Sequence, residues 1–175
     1  MTTHRYILFI SLVLTVRTTF AQLGSERLDT TISIFWNPDL KVRVQIFDPE
    51  EPDIKKKNAV LSLYSLDQGS QRILFRDSIF AYTPLFRIMD LDGDGIQDLL
   101  VYNANNGPEN LSYHLYLVNQ KLGRLTRVKD FERVFNPYYD QKQCLIFGYE
   151  SFERKIILHH YQIDKKGALS MTSWR

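Results

Sequence analysis

The chain contains a single cysteine, Cys144, so it cannot close an internal disulfide. An exported domain of this composition has to hold together without the usual covalent staple. Cys144 heads the apolar run Cys144-Leu145-Ile146-Phe147, which predicts a buried, inert thiol rather than a nucleophile. Long apolar runs are missing too. The early run from Tyr6 to Val16 is about half the roughly 20 residues that a membrane-spanning helix needs. Charge of either sign is also not in excess, with 22 Lys and Arg against 20 Asp and Glu. Nucleic-acid binding depends on neutralising phosphates with a basic face, and this balance argues against it. No G-x-S-x-G, H-E-x-x-H or phosphate-cradling glycine loop occurs. His159 and His160 are neighbours in a strand-like run, so they face opposite sides and cannot chelate one metal together. His114, within Tyr113-His114-Leu115-Tyr116, reads as a hydrogen-bonded strand histidine. The sequence therefore predicts a protein that is not an enzyme.

Hydrophobic residues make up 44% of the chain and aromatics 13%, which is ample for a packed core and argues against wholesale disorder. The first segment reads differently from that core. Arg5 precedes the apolar run, and a more polar stretch follows it, ending in Ala21 with the small Thr19 two positions earlier. This is the layout of a secretory signal peptide cleaved after about Ala21, against the alternative of an anchor that is never removed. Residues 1–21 are then the signal and residues 22–175 a single domain, periplasmic or extracellular, with no membrane segment after cleavage. Arg5 and Arg17 carry the whole positive excess, so the exported portion is formally neutral.

Strand signals dominate that portion. Val42, Val44 and Ile46 share one side of a period-two pattern, with Lys41, Arg43 and Gln45 on the other. This run and Ile32–Trp36 flank Asn37-Pro38-Asp39, which has the chemistry of a hairpin turn. Further strands are predicted at Ala59–Leu66, Ile73–Phe75, Leu85–Met89, Leu99–Tyr102, Tyr113–Val118, Cys144–Tyr149 and Ile156–Ile163, with one short helix at Lys129–Phe135. Three turn regions resemble one another: Leu63–Gly69, Leu115–Gly123 and His160–Gly167. In each, a strand holding an aromatic meets Asp67, Asn119 or Asp164, then polar residues, then Gly. These positions recur roughly every 50 residues, a spacing found in four-stranded blades and in repeated meanders. The expected fold class is all-β, with antiparallel meanders in an incomplete, propeller-like arrangement or another all-β layout.

One segment carries metal chemistry. In Asp90-Leu91-Asp92-Gly93-Asp94-Gly95-Ile96-Gln97-Asp98, carboxylates fall at loop positions 1, 3, 5 and 9, and glycine falls at position 6. Ile96 at position 7 offers its backbone carbonyl. Calcium takes about six to eight oxygens at about 2.3–2.6 Å, and alternate positions of a tight loop converge on one point. An acidic, solvated turn without an ion is the alternative. Val101 stands at position 12, where an EF-hand has its bidentate Glu, and strand-like sequence flanks the loop on both sides. The ion is thus expected to be a structural staple between strands, with Asp90, Asp92, Asp94, Ile96 and Asp98 as its ligands.

The run from Phe86 to Val101 resembles the calcium loop of FG-GAP, integrin-type and VCBS propeller repeats, which carry Asp at the matching positions between adjacent strands. From about Leu85 to Trp174 the chain also resembles small exported bacterial proteins similar to periplasmic lysozyme inhibitors and to immunity proteins against peptidoglycan hydrolases. That resemblance rests on the loop, the Asn103–Asn110 stretch, the strand Tyr113–Leu117 and the turn Asn136–Asp140. It implies a calcium-stabilised module that binds another exported protein, such as a peptidoglycan hydrolase. An extracellular adhesion or scaffold domain is the alternative. Loops are the expected contact surfaces, with Asn105, Asn106 and Glu109 in one and Tyr138 and Tyr139 as aromatic anchors in the other. Packing beneath a turn is the competing role for the two tyrosines.

Overall fold

A computed structural model describes residues 28–35, 37–47, 53–54, 56–67, 69–107, 109–153, 155–164 and 167–172. The expected signal segment, residues 1–21, lies outside the described residues, as does Trp36. No described helix is long and apolar enough to cross a membrane.

Among the described residues, twelve strands form three antiparallel sheets of four, each a meander in chain order. Sheet 1 holds β1 (Leu28–Ile32), β2 (Leu40–Ile46), β3 (Ala59–Asp67) and β4 (Ser70–Ile79). Sheet 2 holds β5 (Phe86–Met89), β6 (Asp98–Asn105), β7 (Leu111–Asn119) and β8 (Arg124–Val128). Sheet 3 holds β9 (Tyr138–Asp140), β10 (Leu145–Phe152), β11 (Lys155–Ile163) and β12 (Leu169–Thr172). The all-β expectation holds, and no sheet closes into a barrel. Asp67, Asn119 and Asp164 all fall at the turn between the third and fourth strands of their sheets. Gly69, Gly123 and Gly167 follow them with positive φ. The sequence similarity among these turns thus corresponds to one repeated structural position.

Sheet 2 is the middle layer. On one face Leu99, Val101, Tyr116 and Val118 pack with Val42, Val44, Leu61 and Leu63 of sheet 1. On the other face Leu100, Tyr113 and Leu115 pack with Phe131, Val134, Ile146 and Tyr161. Burial on both faces explains why β6 opens with the unbroken run Leu99-Leu100-Val101, whereas β2 alternates. Truncating the fully buried Leu100 to Ala would remove about 3 kcal/mol of stability.

Several local expectations need correction. The first strand is Leu28–Ile32 rather than Ile32–Trp36, because Ile32 pairs with Val42 and Leu28 with Ile46. Phe35 instead leaves the strand and turns into the core. The expected helix at Lys129–Phe135 is only a three-residue 3-10 turn, Phe131–Arg133. It enters from a left-handed Asp130 and ends at an extended Val134, so burial of Phe131 and Val134 outweighs helical periodicity. Cys144 is exposed rather than buried. It sits in the turn before β10 with φ 52°, and its thiol lies 3.6 Å from the Gln141 carbonyl oxygen.

Candidate metal centre

The Asp-rich segment links β5 to β6, with Met89 opposite Asp98 at the mouth of the hairpin. Its shape follows from short-range acceptance by the carboxylates. Asp90 accepts the N–H groups of Gly93 at 2.7 Å and Gly95 at 2.9 Å. Asp92 accepts from Asp94 at 3.2 Å, and Asp94 from Ile96 at 2.7 Å. Gly93 and Gly95 have φ values of 77° and 83°, a conformation that residues with a Cβ resist.

Asp98 is different in kind. It is 1% exposed and ties the loop to the sheet, accepting the Leu91 N–H at 3.0 Å and the Val118 N–H at 3.1 Å. Burial pushes its carboxyl up to about 7, against the pull of those two N–H groups, and the Asp92 and Asp94 charges add to the rise. Asp92 is also raised, first by burial and then by the neighbouring Asp94 and Asp90.

The structure brings together Asp90, Asp92 and Asp98, with one oxygen from each lying within 4.8 Å of the others. Two oxygens held by one calcium ion at about 2.3–2.6 Å can be no more than about 5 Å apart, so the trio fits that ion. Asp94, the other loop carboxylate, is exposed and stands outside the trio, and the Ile96 side chain packs against the core of sheets 1 and 2. Among the described residues no ion pair joins Asp90, Asp92 or Asp98 to a cationic side chain.

Tyr139 reaches this loop from sheet 3. A Cβ on Gly93 would collide with the Tyr139 hydroxyl, so both the backbone geometry and the space at Gly93 require glycine. Tyr138 and Tyr139 lie in β9 rather than in a loop and face opposite ways. Tyr138 stacks on Phe147 with 5.1 Å between ring centroids, while Tyr139 packs toward the core. Of the other contact candidates, Asn105, Asn106 and Glu109 are exposed. Asn110 and Asn136, which bound the two loops expected as contact surfaces, Asn103–Asn110 and Asn136–Asp140, are buried instead.

A second polar cluster joins sheets 1 and 2. Tyr116 donates to Asp77 at 2.8 Å, and Arg127 donates to the same oxygen at 2.9 Å. Arg127 also pairs with Glu132. Glu132 contacts His114 Nδ1 at 2.7 Å, and His114 Nε2 lies 2.7 Å from the Phe80 carbonyl oxygen. His114 is thus the satisfied strand histidine that its sequence context predicts. Burial alone would raise the Glu132 carboxyl, but hydrogen bonds from His114 and Arg127 outweigh it and hold the group at about 2.

Comparison with protein-family models, curated proteins and solved structures finds no match to this chain.

Proposed function

We propose that this chain is an exported binding module, an open propeller of three blades stapled by one calcium ion, and that its target is another exported protein. The observation carrying the metal reading is the convergence of Asp90, Asp92 and Asp98 without a cationic partner. Asp94 and the Ile96 carbonyl would complete the oxygen shell. The ion supplies cross-linking charge: it would fix the β5–β6 turn from which Asp98 reaches β7 through Val118. This role suits an exported domain that has no disulfide available to it.

The blade reading is supported by three sequential four-stranded meanders stacked face to face, with the same turn repeated in each. A peptidoglycan hydrolase is the proposed target, and inhibition or immunity the proposed outcome. The resemblance of the loop, the Asn103–Asn110 stretch, the strand Tyr113–Leu117 and the turn Asn136–Asp140 to small exported inhibitors supports that assignment. Exposed Asn105, Asn106, Glu109 and Tyr138 are available for contact. The test is capture from the native cell envelope with and without calcium, followed by a hydrolase assay on the captured partner. Loss of hydrolase activity at saturation is expected, whereas full activity of the saturated partner overturns the inhibitor reading.

A further inference from the structure

The β6–β7 turn holds the chain's sole Asn-Gly pair, Asn106-Gly107. β6 ends where Asn105 pairs with Leu111, and the Asn106 N–H donates to the Asn110 carbonyl at 2.9 Å. Past that bond the turn stands in solvent, with Asn106 and Gly107 both exposed. Gly107 has φ 76°, and nothing lies within 4 Å of the position a Cβ would take. Among the described residues, no group accepts the Gly107 N–H and none bonds the Asn106 side chain. A side-chain amide beside an uncrowded, unbonded backbone nitrogen is a pair of reactants already in one place. Proximity of that kind removes much of the entropic barrier to ring closure.

Every other asparagine is held or blocked. Asn37 and Asn136 precede proline, which has no N–H. Asn58 is tied through both ends of its amide to Ala81, and Asn110 in the same way to Ser151. Asn103 is buried and donates to Ser112. Asn119 accepts the Leu122 N–H at 2.9 Å. Asn105 is exposed, but the N–H that follows it is the one Asn110 holds. The Asp-Gly pairs of the acidic loop are restrained as well, because Asp90 accepts the N–H groups of Gly93 and Gly95.

We propose that Asn106 is a site of spontaneous deamidation, through a succinimide formed with the Gly107 nitrogen. That nitrogen gives its proton to hydroxide and attacks the Asn106 Cγ. A bond forms between nitrogen and Cγ, the Cγ–Nδ2 bond breaks, and Nδ2 takes a proton from water and leaves as ammonia. One water then opens the five-membered ring. Addition at Cγ leaves aspartate, and addition at the main-chain carbonyl carbon leaves isoaspartate, with the backbone rerouted through the side chain. The sum is one amide and one water converted to one carboxylic acid and one ammonia, with no oxidant or reductant. Each event places a new carboxylate in the turn that also carries exposed Glu109. The isoaspartate form adds a carbon to the main chain inside the turn that joins β6 to β7. The charge of this loop thus changes with the age of the molecule, as it would under an enzymatic charge-altering modification. None of this depends on the metal site or on a partner.

Peptide mass mapping of the full chain as processed by the cell tests the proposal, after the folded protein has stood for days at neutral and at mildly alkaline pH. The peptide containing Asn106 should gain the mass of an amide-to-acid exchange and split into aspartate and isoaspartate forms. Conversion should be faster at the higher pH, and faster at Asn106 than at any other asparagine. Asn106→Gln requires a larger ring and should slow conversion at this position at least about tenfold. A folded chain whose Asn106 keeps its amide overturns the proposal, whether or not the same chain converts in urea. So does conversion of Asn58, Asn105 or Asn119 in the folded chain at the same rate, or undiminished conversion in the glutamine variant.

Discussion

Around Arg127 the charges alternate: Asp77 and Glu132 flank the guanidinium, with Tyr116 donating to Asp77 at one end and His114 in contact with Glu132 at the other. In the β5–β6 loop, by contrast, Asp90, Asp92 and Asp98 meet among backbone N–H groups with no cationic side chain paired to them among the described residues. Both clusters are polar and partly buried, yet the carboxylates of the first pair with a cationic side chain and those of the second do not. The difference separates a self-paired structural joint from the cluster for which we propose an external cation. The lesson is general, since buried charges persist only where they are paired or ligate a metal.

The largest expected effect comes from Asp98→Ala. It orphans the Leu91 and Val118 N–H groups and removes a ligand, lowering stability in calcium by about 4 kcal/mol. Urea denaturation in calcium and in EDTA measures it, and the loss should be greater in calcium. Arg127→Met breaks the self-paired cluster and leaves Asp77 and Glu132 without their shared cation, for a loss of about 3 kcal/mol. That loss should be the same in calcium and in EDTA. Equal calcium sensitivity of the two variants would erase the distinction between the clusters.

Acid sharpens the comparison further. Glu132 titrates at about 2 in the folded protein against an ordinary 4.5, so the unfolded chain binds its proton first as pH falls. The stability it lends is complete above about pH 4.5 and drains away as pH drops through about 2, amounting to on the order of 2 kcal/mol. Glu132→Gln should remove that dependence, which is read as the difference between the acid denaturation curves of variant and wild type in EDTA.

Sequence exposed the acidic β5–β6 loop and the alternation of β2 because both are encoded over a few adjacent residues. Joints between sheets were hidden for the converse reason. Asp77, His114, Arg127 and Glu132 come from different elements, and no local pattern marks them as one cluster. Tyr139 over Gly93 was equally hidden, although the other positive-φ glycine of the loop, Gly95, was legible. The short strands β8, β9 and β12 carry too few residues to show a period. Cys144 misled because its apolar neighbours begin a strand that it does not join, its own backbone being left-handed. The expected helix at Lys129–Phe135 failed because Phe131 and Val134 are anchored by tertiary packing, which local propensity does not register.

Uptake of calcium by the β5–β6 loop would distinguish a metal staple from an acidic, solvated turn. Calorimetric titration of the metal-free chain, paired with thermal melts in calcium and in EDTA, tests this most directly. One ion should bind per chain, and saturating calcium at about a thousand times its dissociation constant should raise the melting temperature by about 10 °C. Asp98→Ala should abolish that rise and Arg127→Met should leave it intact. Identical melts in calcium and EDTA, with no heat of binding, would contradict the central claim.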